Sequence, residues 1–196
     1  MEIDSNEGGK TKELFGGAFS CFLPRNAQDM SVIRDVPDNQ EVFCHQSTDQ
    51  SIMVDILEFQ SSVTGENAAR YHFEDLASSN DAHGENEVLH IEALSKDDIT
   101  LDSCQDAWLL SGRQMVSKFN ETKNAKNLVH IHMVLYRLPQ YVTDIVVIMN
   151  IPVAISVGSS SSASSSPNGP DAWSVNTFRK IACSLQLNDP SIFGET

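Results

Sequence analysis

Apolar and polar positions alternate along most of this chain in runs of four to eight, the period of half-buried β-strands, and the pattern turns helical at only two places. ELFGGAFSCFLP sets Phe15, Phe19, Cys21 and Phe22 around Gly16 and Gly17, which predicts two short extended pieces with a bend between them, ended by Pro24. In NAQDMSVIRDVPDNQ, Asp29 can cap a single helical turn running to Ile33, before Pro37 and Asp38-Asn39 impose a turn. QEVFCHQ and SIMVDILEFQ then read as two strands able to pair as a hairpin across STDQ. From Glu66 to about Ser79 the period becomes helical, with Ala68, Tyr71, His72, Asp75, Leu76 and Ser79 on one stripe. Four more strands follow, EVLHIEALS, AWLLSGRQMVSKF, NLVHIHMVLYRL and TDIVVIMNIP, joined by short polar links that make neighbours antiparallel. Ile145 to Met149 is apolar at every position, so this strand should be central, with both faces of the sheet covered by helices. The last apolar stripe, Val175, Phe178, Ala182 and Leu185, lies on a helix expected to begin at an Asp171 cap and too short to fold alone, so it should dock back on the sheet. Residues 1–12 read as a disordered tail, 13–196 as the folded domain, and the Ser-rich run 156–170 as a flexible loop within it.

Composition narrows the class. With 196 residues, 40% of them hydrophobic, the chain can bury a substantial core, which excludes disorder and collagen. No window reaches the roughly 18 uncharged apolar residues that a bilayer span needs, so no membrane insertion is expected. The start carries Glu2, Asp4 and Glu7 and no apolar h-region, arguing for the nucleus, the cytoplasm or both. The net charge of -14 is uneven: 22 acids and 6 bases precede and include Asp106, while the remainder is slightly basic. Such a field repels nucleic acid and can either steer a basic protein partner or simply solvate the surface.

Candidate chemistry is sparse. Cys21, Cys44, Cys104 and Cys183 are dispersed without a C-x-x-C pair and read as reduced structural thiols. His130 and His132 share a strand face and could hold a metal with His90, but no carboxylate or cysteine accompanies them at ligand spacing; half-buried polar positions explain them equally well. His72, Glu74 and Asp75 read as a solvated helix surface, and Gly16-Gly17 lacks the remaining glycines and the lysine of a phosphate-binding loop. No catalytic group, metal or cofactor is expected, and any chemistry should be done through a partner.

Five blocks carry a resemblance: ELFGGAFSCFLP, SVIRDVPDNQEVF, SIMVDILEFQ, YHFEDLA and DPSIF, the most specific being the run from Arg34 to Phe43. In order and spacing they resemble the Ran guanine nucleotide release factors, the Mog-type Ran-binding proteins, from about Glu13 to Phe193. The resemblance implies an α/β fold, a single-domain α/β/α sandwich with a six-stranded, mainly antiparallel sheet, related to the PsbP subunit of photosystem II. It also implies a non-catalytic partner of the small GTPase Ran that promotes release of bound GTP in nucleocytoplasmic transport, and a monomer is expected. By position, Asp55 and Glu58 inherit the Ran-binding role, with Asp29, Arg34, Asp35, Pro37, Asp38, Asn39, Gln40 and Glu41 completing the surface. Residues three apart on a regular strand face opposite ways, so Asp55 and Glu58 can share a surface only if the strand ends, twists strongly or bulges near Leu57. Two other classes stay open: a Ran-binding adaptor or trafficking scaffold without exchange activity, and a PsbP-like photosystem accessory subunit.

Overall fold

The computed structural model describes residues 8–117, 126–154 and 171–194. Its strands are β1 (Gly9–Leu14), β2 (Phe19–Pro24), β3 (Ala27–Asp29), β4 (Gln40–His45) and β5 (Ser51–Glu58). Helix α1 (Glu66–Ser79) precedes β6 (Asn86–Ala93), β7 (Asp106–Ser117), β8 (Lys126–Leu138) and β9 (Thr143–Ala154), and α2 (Val175–Cys183) and β10 (Gln186–Leu187) close the order. One sheet runs β3-β4-β5-β9-β8-β7-β6 and a smaller one β1-β2-β10, with every pairing antiparallel. The large sheet has seven strands where six were expected. The seventh is β3, a three-residue edge strand of sequence AQD, too short and too polar to register as an alternating run.

β9 is central, flanked by β5 and β8, and its residues 145–149 bury on both faces as their unbroken apolar run requires. Odd positions Ile145, Val147 and Met149 join a core beneath α2 and the small sheet; Val146 and Ile148 join a second core beneath α1. The covering layer on the first face is therefore mixed, a helix and a three-stranded ribbon. α1 spans the residues that periodicity predicts, but rotated: Ala68, Ala69, His72, Phe73 and Ala77 are buried, whereas Tyr71 and Asp75 face outward. Phe73 decides this, because its ring lies over Gly112 of β7, where an added Cβ would come within 2.5 Å of it.

Strand β1 begins at Gly9, inside the expected tail, and residues 1–7 and 156–170 lie outside the described residues. α2 begins at Val175 behind a Ser174 cap whose hydroxyl accepts from Thr177 N–H at 3.0 Å, not at Asp171. Trp173 is the reason: its backbone N–H donates to Gln50 Oε1 at 2.7 Å and its indole N–H to Asn26 Oδ1 at 2.8 Å, holding this stretch extended. Val175 is consequently exposed, while Phe178, Ala182 and Leu185 are buried.

Candidate functional site

Antiparallel pairing brings four strand ends together at one end of the large sheet: β3 exits there, β4 enters, β5 exits and β9 enters. The residues singled out from sequence lie between β3 and β4 or within the adjoining ends of β3, β4 and β5. Asp29 caps the 3-10 turn Met30–Val32 as expected, its carboxylate accepting from Ser31 N–H at 3.0 Å. Gln40 N–H donates to Pro37 O at 2.9 Å, closing the turn over Asp38 and Asn39. Asn39 then clamps that turn to β5, its side-chain amide donating to Ile56 O at 3.1 Å while its carbonyl accepts from Ile56 N–H at 2.9 Å.

The acids of this end fall into three environments. Asp35, Asp38 and Glu58 are exposed and, among the described residues, make no side-chain hydrogen bond or ion pair. Asp29 and Glu41 are engaged with the small-sheet layer: Lys12 Nζ lies 3.0 Å from Asp29, and Phe15 N–H donates to Glu41 Oε1 at 2.6 Å. Burial would raise the Asp29 carboxyl, but Ser31 and Lys12 outweigh it and hold it below its usual range. Asp55 is different again, 8% exposed and held by Gln40, whose side-chain amide donates to its Oδ1 at 2.7 Å. Burial pushes the Asp55 carboxyl up, and the Gln40 hydrogen bond only partly opposes that shift.

Asp55 and Glu58 point to opposite faces. The β5-β9 register runs unbroken from Ser51 opposite Asn150 to Glu58 opposite Thr143, so no bulge brings them together. Ile52 and Val54 pack in the core under α2, whereas Met53 and Leu57, the neighbours of Asp55 on its face, pack towards the core under α1. What the two acids share is the end of the sheet, with Glu58 closing the strand at its rim.

Behind the rim is a buried network that sequence reasoning missed. Asp144, fully buried at the start of β9, takes Arg137 Nε at 3.1 Å on one oxygen; His72 Nε2 at 2.9 Å and Gln60 N–H at 3.1 Å meet the other. Arg137 also donates to Gln60 O and Val63 O at 2.6 Å each and lies over the Phe59 ring at 4.1 Å. Burial alone would raise the Asp144 carboxyl, yet His72, Gln60 and Arg137 together keep it below its usual range. The segment after Glu58 is thereby fastened to β8, β9 and α1. A signal existed, since Arg137 and Asp144 are the polar interruptions at either side of the tight β8-β9 turn, but only pairing opposite each other reveals their purpose.

The remaining candidates carry less. His132 Nδ1 lies 2.8 Å from Ser111 Oγ, and burial lowers its basicity; among the described residues no three His, Cys, Asp or Glu side chains converge on a common metal position. All four cysteines are free, and burial pushes each thiol up, Cys21 to about 12, the reverse of an activated nucleophile.

The sheet thus gathers turns and exposed carboxylates at one end, backed by a buried hydrogen-bonded network, and connecting segments held by such a scaffold are where binding residues usually lie. The comparisons give the family: residues 12–152 match the family model for the Ran-interacting Mog1 protein, and the chain belongs to that family. It is 48% identical over 186 residues to the Ran guanine nucleotide release factor of Danio rerio, covering 94% of this chain and 100% of the relative. To the Homo sapiens protein of that name it is 47% identical, covering 92% of this chain and 95% of the relative. The fold also matches the crystal structure of the Saccharomyces cerevisiae Ran-binding protein Mog1p, with a TM-score of 0.69 at 23% identity, covering 96% of this chain and 100% of that one.

Proposed function

We propose that this protein binds the small GTPase Ran through the β3-β4-β5-β9 end of its sheet and promotes release of bound GTP, serving nuclear import as a non-catalytic regulator of the GTPase. The observation that carries this reading is the nearly end-to-end similarity to vertebrate proteins named Ran guanine nucleotide release factor. The relatives of Schizosaccharomyces pombe and Saccharomyces cerevisiae, named nuclear import proteins, support action in the nucleus and cytoplasm.

Asp35, Asp38 and Glu58 supply the charge that meets basic groups on Ran, since no partner within the described residues competes for them. Asp55 and Gln40 form the firm floor beside them, with Asn39, Pro37 and Arg34 shaping the turn and Asp29 and Glu41 anchoring it to β1 and the Phe15 bend. A GTPase holds GTP by phosphate-directed backbone, lysine and Mg²⁺. Carboxylates that engage its basic groups favour a state in which that hold is weaker, and each tenfold weakening of nucleotide needs about 1.4 kcal/mol of coupling. By linkage, GTP must weaken binding of this protein by the same factor. The test is the release rate of a fluorescent GTP analogue from Ran with and without this protein, beside an unrelated small GTPase. Acceleration confined to Ran is expected; binding with unchanged release would reduce the protein to an adaptor.

A further inference from the structure

The three most exposed large apolar side chains among the described residues are Val32 at 83%, Val142 at 64% and Ile33 at 61%, and all three lie at the acidic end of the sheet. The next, Leu89 at 53%, is on β6 at the far edge. Val32 and Ile33 leave the sheet at its β3 side, directly before Arg34 and Asp35. Val142 is the residue before β9; its carbonyl accepts from Phe59 N–H at 3.0 Å, so it stands beside Glu58. From β3 to β9 is three strand spacings, about 14 Å. That width fits within one interface of ordinary size, about 800 Å² per partner.

Val142 carries a further mark. It is held at φ +50 and ψ +39, a left-handed conformation costly for a β-branched residue, although glycine or asparagine would occupy it without that cost. Backbone hydrogen bonds to Pro139 and Phe59 hold the conformation, but among the described residues its side chain packs into neither core, so the valine side chain itself gains no burial there. Exposed apolar groups interleaved with carboxylates match the usual anatomy of an interface, in which apolar anchors are rimmed by charge.

We infer that Val32, Ile33 and Val142 are apolar anchors of the Ran interface, seated against an apolar patch on Ran that basic groups surround; this rests on the reading of Ran as the partner. Charge sets the rate of encounter, and the anchors set how long the complex lasts. The experiment compares Ran binding by the intact protein, the Glu58→Lys variant, the Val32→Ser/Ile33→Ser pair and Val142→Asn, each with a thermal melt. The expected result is an affinity loss of about tenfold for the paired and Val142→Asn variants, seen in faster dissociation. Melting temperature should be unchanged for the pair and unchanged or raised for Val142→Asn, which relieves the backbone. If the intact protein binds Ran, Glu58→Lys weakens it and the apolar variants dissociate as slowly as the parent, the anchors are overturned while the partner stands. If the intact protein does not bind Ran, the functional reading falls and takes this inference with it.

Discussion

Asp55 shows how one residue couples stability to the proposed function. Buried against Gln40, it is a carboxyl that holds its proton more tightly folded than unfolded, chiefly through burial. The folded state therefore gains stability as pH falls from neutral through the Asp55 range and loses it as pH rises through that range. Asp144 has the opposite sign. Its depressed carboxyl contributes stability above the ordinary 3.8, lost as pH falls further through its folded value. Thermal melts from about pH 7 to pH 3 should thus rise to a maximum and then fall. Asp55→Asn should raise the melting temperature at neutral pH and flatten the rising limb, whereas Asp144→Asn should blunt the acid limb. The family resemblance pointed to Asp55 and Glu58 together but could not show that one is buried and the other exposed, because that depends on what lies across each face of the strand.

At the level of elements, α1 is held by two devices, a ring over a glycine and a buried ionic cluster. Gly112→Ala would drive a methyl into Phe73 and the Glu87 carbonyl and should cost about 1–3 kcal/mol, read as a lower denaturant midpoint. Asp144→Ala would leave the Arg137 guanidinium buried without its anion and should cost about 3–5 kcal/mol. Because Arg137 also holds the carbonyls of Gln60 and Val63, loosening should spread to the segment following Glu58, where hydrogen exchange would report it. Sequence periodicity located the boundaries of α1 but set its buried stripe one position away. A broad amphipathic stripe tolerates such rotation, and the choice was made by the Phe73 ring finding the one β7 position without a Cβ.

For the molecule as a whole, charge is the feature with the widest reach. The 22 acids up to Asp106 create a field that decays over about 8 Å at physiological salt. Association with Ran should therefore slow as ionic strength rises, while dissociation, governed by buried apolar contact, should respond far less. Stopped-flow mixing across a salt series separates the two, and Glu58→Lys should flatten the salt dependence of the association rate.

The order of the six longer strands of the large sheet and of the two helices, the central place of Ile145 to Met149 and the turn at Pro37 to Asn39 were determined by the sequence itself, since period, apolar continuity and turn chemistry are local properties. The β3 edge, the small sheet closed by β10, the late start of α2 and the Arg137–Asp144–His72 cluster were decided only by tertiary structure. Each depends on partners far apart in the chain, such as Gln50 with Trp173 or His72 with Asp144. The grouping of Val32, Ile33 and Val142 at one end has the same origin, because antiparallel pairing, not proximity in sequence, brings the exit of β3 and the entry of β9 to the same side of the sheet.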